Sequence, residues 1–165
     1  KFKIFKPSTL PIEKKAIFKS NFFEKLGRFQ IIFAIMQLSY FNKIIFKCRD
    51  NFKTINDCLK KLNIKILPVI TEKDFSVSNR ICFLVQNRKK FVDYFNSNGV
   101  SVGKWFDGPL SPNPNSKLFN YNKNQFRIAG KISEKIVNLP CNNGMSSSDC
   151  QRIVILLKKY FLNKR

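Results

Sequence analysis

Apolar residues recur at steps of three and four between Gln30 and Leu62, the spacing of one stripe along an α-helix. At 1.5 Å per residue, a continuous helix of this length would be a rod of roughly 50 Å. We expect either such a rod, braced against a larger body, or two helices with a bend near Asn51. The stripe consists of Ile31, Ile35, Leu38, Phe41, Ile45, Cys48, Phe52, Ile55, Leu59 and Leu62. Burial along it is predicted for Ile35, Leu38, Ile45, Phe52, Ile55 and Leu59.

Short apolar runs after this helical region have the length and composition of β-strands. They are Leu67–Ile70, Ile81–Val85, Val100–Phe106 and Ile136–Leu139, and the last of them is stopped by Pro140. We therefore predict a small sheet built from short strands.

Two further helices are predicted from the residues at their ends. Asn87 is a candidate N-cap for a helix that reaches about Asn96, and Gly99 stands where a left-handed residue would end it. Ser146, followed three residues later by Asp149, forms a capping box that opens a C-terminal helix. In the first helix, Phe91, Val92 and Phe95 lie on one side. In the second, the positions predicted to be buried are Ile153, Val154, Leu156, Leu157 and Tyr160.

Residues 107–124 are rich in proline and asparagine, which predicts a loop or irregular arm that could reach a neighbouring domain or subunit. The order of elements is helix, strand, helix, strand, loop, short helix, strand, helix. This order predicts an α+β fold with helices on one face of a small sheet.

The longest apolar region, Gln30–Phe46, is interrupted by polar residues, so no membrane span is predicted. The chain begins with Lys1 and has no apolar run of seven residues near its start, so a signal peptide is not supported. Pro7 and Pro11 break any long helix before Ile12–Phe23. We expect the sequence to begin inside a longer protein.

The composition adds a strong positive charge. Thirty-one Lys and Arg against ten Asp and Glu give a net charge of +21, which would attract nucleic acid or an anionic membrane if it lay on one face. Twenty-four of these residues are Lys and only seven are Arg, the residue preferred for phosphate and guanine contacts. Lys, Asn, Ile and Phe also share A- and T-rich codons, so genomic base composition explains the bias without a nucleic-acid ligand.

The absence of histidine narrows the chemistry of this segment. It excludes His-based acid–base catalysis, Cys-His and Ser-His-Asp nucleophiles and His-containing zinc sites. The five cysteines include no Cys-x-x-Cys pair, so no metal knuckle is indicated and the metal prediction is none. We expect buried, reduced thiols in a cytoplasmic protein at Cys48, Cys58, Cys82, Cys141 and Cys150.

No phosphate-binding loop, dinucleotide glycine motif or nucleophile elbow is present, but four weaker strings occur in a fixed order. The strings are Phe29-Gln30 with Gln37-Leu38 and Arg49; Asn87-Arg88 with Asn98-Gly99-Val100; Gly103 to Pro112; and Ala129 with Ile136–Pro140, Met145-Ser146 and Asp149. Together, over about residues 29–162, they resemble the C-terminal part of DegT-type sugar aminotransferases. These are pyridoxal 5'-phosphate enzymes of the aspartate aminotransferase fold, fold type I.

The resemblance implies a division of the chain and a role for it. Residues 1–28 would be the end of a preceding large domain or a linker, and residues 29–165 the C-terminal small domain. The parent enzyme would move an amino group from an amino-acid donor onto a keto-sugar nucleotide, as a cytoplasmic homodimer in nucleotide-sugar metabolism and polysaccharide biosynthesis. The Schiff-base lysine and most pyridoxal phosphate contacts would belong to the large N-terminal domain, so this segment alone is predicted to be inactive, with no catalytic residue of its own.

The resemblance also implies weak candidates for binding residues. The family's Asn-Tyr-Arg string, whose Asn is expected to touch the cofactor phosphate of the other subunit, falls near residues 23–25. Lys25 could supply its positive charge, and Asn21 its amide if the register shifts by two. Trp105, Asp107 and Ser111 are the substrate candidates, where Ser111 stands in place of the family's His. The plainer interpretations are that Trp105 anchors the loop to the sheet and that Lys25 is a solvated charge.

A second function class stays open at the level of sequence. A non-enzymatic basic domain could bind nucleic acid or another anionic partner through Lys-rich helix faces and exposed aromatics such as Phe2, Phe5 and Phe22. The absence of a recognised RNA- or DNA-binding motif argues against this alternative.

Overall fold

The computed structural model describes residues 25–67, 77–103, 108 and 123–162 of the chain. Its helices are α1 (Arg28–Ser39), α2 (Phe41–Lys61), α3 (Arg88–Ser97), α4 (Arg127–Lys135) and α5 (Ser147–Leu162), and a 3-10 helix, Lys123–Phe126, leads into α4. Its strands are β1 (Ile66–Leu67), β2 (Arg80–Leu84) and β3 (Ile136–Pro140).

The chain divides into two compact units. The first comprises Lys1–Met36 and Trp105–Glu134, and the second comprises Gln37–Lys104 and Lys135–Arg165. The second unit therefore contains α2, α3, α5 and the whole sheet. The division into residues 1–28 and 29–165 stays a prediction.

The three strands form one antiparallel sheet in the order β1-β2-β3. Leu67 pairs with Cys82, and Cys82 pairs in turn with Asn138. On the other side of β3, Gly103 forms a single antiparallel bridge to Asn138. Side chains directly opposite one another share a face of the sheet, so these four positions form one row.

One face of the sheet carries the hydrophobic core of the second unit. Ile81 and Phe83 on β2 and Val137 and Leu139 on β3 are at most 1% exposed. An aromatic cluster on α3 and α5 packs over them, with the Phe91 ring 5.6 Å from that of Phe83. The α+β fold with helices against a small sheet is confirmed.

α2 lies alongside α5 in this core. The amide of Asn51 on α2 donates to the carbonyl of Asn142, just before α5, at 2.7 Å. Ile55 and Leu59 lie one turn apart on the same side of α2, and both are fully buried. α2 ends at Lys61, and Asn63, two residues later, has a left-handed φ of 58° that allows Ile64 N–H to bond back to the Leu59 carbonyl at 2.9 Å.

The predicted stripe is wrong at its N-terminal end. The bend, of 59°, lies at Tyr40 between α1 and α2 and not near Asn51, whose amide is held by Asn142. Ile35 and Leu38, predicted to be buried, are 62% and 64% exposed. Of the other predicted stripe residues, Ile31 and Phe41 are also exposed, Ile45, Phe52 and Leu62 are half-buried, and Cys48 is buried.

The helix ends predicted from capping residues are confirmed. The Asn87 side chain accepts a hydrogen bond from Lys90 N–H at 2.9 Å, and Gly99 ends α3 with a φ of +75°. At α5, Ser146 Oγ accepts from Asp149 N–H at 3.2 Å and the Asp149 carboxylate accepts from Ser146 N–H at 2.8 Å. Among the residues predicted to be buried in α5, Val154 alone differs, being half-buried.

The predicted strand Val100–Phe106 is reduced, among its described residues, to the bridge at Gly103. Its first residues use their donors elsewhere: Val100 N–H bonds to the Phe95 carbonyl at 2.9 Å, and Val102 N–H bonds to the Asn96 side chain at 3.3 Å. The end of α3 thus takes the hydrogen bonds that a strand would need. Residues 109–122 of the predicted arm lie outside the described residues, and a 3-10 helix begins at residue 123.

No single described helix is long and apolar enough to cross a bilayer. α1 and α2 meet these requirements of length and composition only when taken together, as a pair bent by 59°.

Candidate functional site

The sheet face opposite the core carries a polar cluster. Because side chains alternate along a strand, Arg80 and Cys82 on β2 and Asn138 on β3 lie on the face that Ile81, Phe83 and Val137 avoid. Arg80 and Cys82 are half-buried, whereas Asn138 is fully buried. A fully buried amide in the middle of a strand needs partners for its oxygen and its nitrogen.

Asn138 forms hydrogen bonds with Gly103 on one side of β3 and with Arg80 on the other. Its backbone exchanges two hydrogen bonds with Gly103, at 3.0 and 3.2 Å, and its side-chain Oδ1 accepts from Arg80 Nη1 at 3.1 Å. A Cβ atom at position 103 would lie 1.9 Å from Asn138 Oδ1 and 3.0 Å from Arg80 Nη1. Gly103 is therefore required for the Asn138 side chain to lie across its neighbour and meet Arg80.

The amide nitrogen of Asn138 is the exception in this cluster. Asn138 Nδ2 is buried and has no hydrogen-bond partner among the residues that the structure describes. The guanidinium of Arg80 can only donate, so Oδ1 faces it and the unmatched group is the N–H donor. A buried donor without an acceptor costs about 1–3 kcal/mol, and such groups call for a specific explanation.

The thiols are not set up as nucleophiles. Burial raises the pKa of the Cys141 thiol to about 12, and this thiol donates to the Ser78 carbonyl at 3.2 Å. Burial also raises the pKa values of Cys58, Cys82 and Cys150. Cys48, Cys58, Cys141 and Cys150 are buried free thiols, as predicted, whereas Cys82, also a free thiol, is half-buried. A thiol with a raised pKa is neutral at physiological pH.

Among the described residues, no three or more His, Cys, Asp or Glu side chains come together in a way that could hold a metal ion.

Of the five predicted binding residues, the structure describes only Lys25. It is exposed and precedes α1, whose first turn is closed by a hydrogen bond from Gly27 N–H to the Gln30 side chain at 2.8 Å. The other four lie outside the described residues, so all five stay predictions. These four are Asn21, Trp105, Asp107 and Ser111.

Sequence reasoning missed the cluster of Arg80, Gly103 and Asn138. A signal for it was present: Asn138 interrupts the otherwise apolar run Ile136–Pro140, where a buried strand favours an apolar residue. The run was interpreted only as part of a family string. The partner Arg80 is 58 positions away and could be matched to Asn138 only after the strand register was known.

Several solved structures that are similar to this chain are aminotransferases. A candidate sugar aminotransferase from Streptococcus pneumoniae in its PLP form superposes with a TM-score of 0.67 and 15% identity, over 78% of this chain and 34% of that one. A DegT DnrJ EryC1 StrS aminotransferase from Brucella abortus gives a TM-score of 0.66 and 15% identity, over 77% and 34%. DesI, crystallised in the presence of its TDP-sugar product, gives 0.59 and 15%, over 78% and 34%.

The coverage values also show how much of each solved protein this chain corresponds to. The chain spans about a third of the length of each of these solved proteins. No curated protein sequence matches it. The model of the DegT/DnrJ/EryC1/StrS aminotransferase family, however, matches residues 16–158, and the chain therefore belongs to this family.

Proposed function

We propose that the chain supplies the small domain of a pyridoxal-phosphate-dependent aminotransferase that transfers an amino group from an amino acid to a keto-sugar nucleotide. The family match over residues 16–158 carries the proposal. The PLP form of one structural neighbour and the TDP-sugar product of another support the cofactor and the substrate class. Because the chain corresponds to a third of these neighbours, the catalytic centre is assigned to the whole enzyme rather than to this segment.

The described lysines do not suit the role of the imine-forming residue. A Schiff-base lysine is activated by burial or by a nearby cation, whereas no described lysine side chain is buried. Bound pyridoxal phosphate supplies an electron sink for the amino-group transfer. This chain's contribution would be a peripheral one: the charge of Lys25, together with the N-terminal end of α1, suits a phosphate group.

The exposed apolar surface of α1 indicates that another part of the enzyme covers this helix. None of its residues is buried, although seven of its twelve positions are large apolar residues that are 44–80% exposed. Between its end residues Arg28 and Ser39, the polar residues of the helix are Gln30 and Gln37, which lie seven positions apart on one stripe, so apolar side chains surround most of its circumference. A helix that is apolar nearly all round belongs in the interior of a larger protein. We assign its covering to the large N-terminal domain and the second subunit of a homodimer.

The remaining assignments concern residues outside the described part of the chain. Trp105, Asp107 and Ser111 would contact the sugar nucleotide from the arm, and Asn21 would reach the cofactor phosphate of the neighbouring subunit. The enzyme would act in the cytoplasm in nucleotide-sugar metabolism and polysaccharide biosynthesis.

The test is to produce the whole reading frame that contains these residues and to assay it with pyridoxal phosphate, an amino-acid donor and keto-sugar nucleotides. We expect an internal imine absorbance and stoichiometric amino transfer, both lost when an upstream lysine is replaced by alanine. Absence of the absorbance, combined with salt-dependent retention of the protein on nucleic acid, would favour the basic binding module instead.

A further inference from the structure

An open groove lies beside the first turns of α2. It runs between that helix and Asn143, in the loop before α5, and its volume is about 440 Å³. Small-molecule sites have volumes of about 300–1,000 Å³, so the groove is large enough for a compact ligand. Every residue that lines it belongs to the second unit, so the groove is a feature of that unit alone.

The wall opposite α2 is held in place by hydrogen bonds on both sides of Asn143. The Asn51 side chain on α2 donates to the Asn142 carbonyl at 2.7 Å, and Gly144 N–H donates to Asn142 Oδ1 at 2.9 Å. The loop is thereby tied to the helix before any ligand arrives. A wall that is already ordered spares a ligand the entropic cost of ordering it.

Two lysines on α2 line the groove as one row. Lys43 and Lys47 are one helix turn apart, where like charges repel each other. Neither forms an ion pair with a described residue, although Lys47 is half-buried. A negative group between them would relieve the repulsion, and lysine is a common ligand of phosphate. The Asn143 amide can add a neutral donor from the other wall.

Phe46 and Asp50 form a second row beside the lysines, because positions three and four apart are neighbours on a helix surface. The Phe46 side chain is 63% exposed, and an exposed aromatic ring is a surface on which a planar base stacks. The Asp50 carboxylate can only accept hydrogen bonds, so it suits sugar hydroxyls and repels a phosphate. The groove therefore offers a cationic row next to a row that suits a base and a ribose.

We propose that this groove binds a nucleoside diphosphate. The phosphates lie along Lys43 and Lys47, the base stacks on Phe46, and the ribose hydroxyls donate to Asp50. The lining residues of α2 lie within residues 40–50, a rise of about 15 Å, which suits a single nucleotide rather than a length of nucleic acid. The assignment is independent of the proposed function, and its ligand is either a free nucleotide or the nucleotide part of a sugar nucleotide.

The experiment is an NMR titration of the ¹⁵N-labelled 165-residue chain with uridine diphosphate, UDP-glucose, uridine or pyrophosphate at equal ionic strength. The backbone amide signals of Lys43, Lys47 and Asn143 are followed. We expect a saturable shift with uridine diphosphate and at least about tenfold weaker binding of uridine and of pyrophosphate, each of which lacks one half of the contacts. Equal affinity for UDP-glucose would identify a sugar nucleotide as the source, and at least about tenfold weaker binding would identify a free nucleotide.

Lys47→Gln should weaken the binding of uridine diphosphate about tenfold, since charge-assisted hydrogen bonds are the strong ones. Lys53→Gln is the matched control, because it removes the same charge from an exposed position of α2 outside the groove and should leave the titration unchanged. Phe46→Ala should weaken the binding of uridine diphosphate about tenfold and leave that of pyrophosphate unchanged, because only the base stacks on the ring. Circular dichroism checks that the variants stay folded.

Absence of a saturable shift, equal affinity for uridine diphosphate and pyrophosphate, or an equal loss in Lys47→Gln and Lys53→Gln would overturn the site. Tighter binding of a thymidine oligonucleotide, with an affinity that falls steeply with salt, would overturn it in favour of nucleic acid. The titration needs neither pyridoxal phosphate nor an amino donor. Its failure is therefore distinguishable from an absence of aminotransferase activity in the whole enzyme.

Discussion

At the scale of single residues, Gly103 and Gly130 differ in the space around them. Gly103 stands where a Cβ would lie 1.9 Å from Asn138 Oδ1, whereas a Cβ at Gly130, in α4, would meet no atom within 4 Å. The first glycine is required by packing, and the second only weakens its helix.

Replacing these two glycines by alanine should therefore change stability in opposite directions. We expect Gly103→Ala to lower the free energy of unfolding by about 1–3 kcal/mol, as overpacking does. Gly130→Ala should raise it by up to about 1 kcal/mol, the difference in helix propensity. Urea denaturation followed by circular dichroism measures both, and equal stability of Gly103→Ala and the unmodified chain would contradict the contact with Asn138.

The thiol of Cys141 offers a second test at this scale. Because burial raises its pKa from the ordinary 9.0 to about 12, the fraction present as thiolate falls about a thousandfold at neutral pH. We expect iodoacetamide at pH 8 to leave Cys141 unmodified in the folded chain and to modify it in urea. Mass spectrometry of peptides reports the site. Labelling at the same rate in both states would show that the thiol is not buried.

At the scale of elements, α2 packs into the core and α1 does not, although the apolar stripe predicted from the sequence runs through both helices. Ile55 on α2 is fully buried, whereas Ile35 on α1 is 62% exposed. The same substitution in the two helices should therefore have very different costs.

Ile55→Asp should destabilise the chain by about 4 kcal/mol or more, because it places a carboxylate among apolar side chains. Ile35→Asp is the matched control and should change the free energy of unfolding by less than about 0.5 kcal/mol, as surface substitutions do. Thermal and urea unfolding of the two variants give the comparison. A similar loss in both would mean that α1 is covered within this chain.

The capping box of α5 predicts a pH dependence. Hydrogen bonds from the Ser146 side chain and backbone lower the pKa of Asp149 below its ordinary 3.8. A lowered carboxyl pKa in the folded state stabilises the fold above the unfolded-state pKa, and this contribution is lost as pH falls through the folded-state value. Asp149→Asn should therefore flatten the decline in melting temperature below about pH 5, whereas Asp50→Asn, at an exposed carboxylate of α2, serves as the control. Identical acid profiles for the unmodified chain and Asp149→Asn would rule out this contribution.

Elements whose ends are marked by side-chain chemistry were predictable. Asn87, Gly99 and the pair Ser146 and Asp149 each satisfy backbone groups locally, so their roles can be inferred from neighbouring residues alone. The bend at Tyr40 was not predictable from periodicity, because α1 is apolar on most sides and fits a stripe in any orientation. The strand after α3 was lost for a tertiary reason, since the cap of that helix takes the donors of Val100 and Val102.

The polar cluster of Arg80, Gly103 and Asn138 is the part of the candidate site that could not be predicted from the sequence. Asn138 is recognisable as an unusual residue in its strand, but its meaning depends on Arg80 and Gly103, which only the strand register brings beside it. Contacts between residues so far apart along the chain carry no local pattern.

At the scale of the whole molecule, the segment matches an aminotransferase family but corresponds to a third of the solved members. We expect the isolated 165-residue chain not to form an internal imine with added pyridoxal phosphate, because no described lysine is buried in the way that an imine-forming lysine requires. Absorption spectroscopy checks this. A stoichiometric absorbance near the imine band, abolished by a single Lys→Ala substitution, would reveal a catalytic site in this segment.

The exposed apolar surface of α1 should lower the amount of intact segment that accumulates in a cell. A segment made without the rest of the enzyme would display Phe29, Phe33 and Ile35 to water, which is the kind of surface that aggregates or is captured by chaperones and proteases. Production of this segment alone should therefore yield less intact protein than production together with the domain that covers the helix.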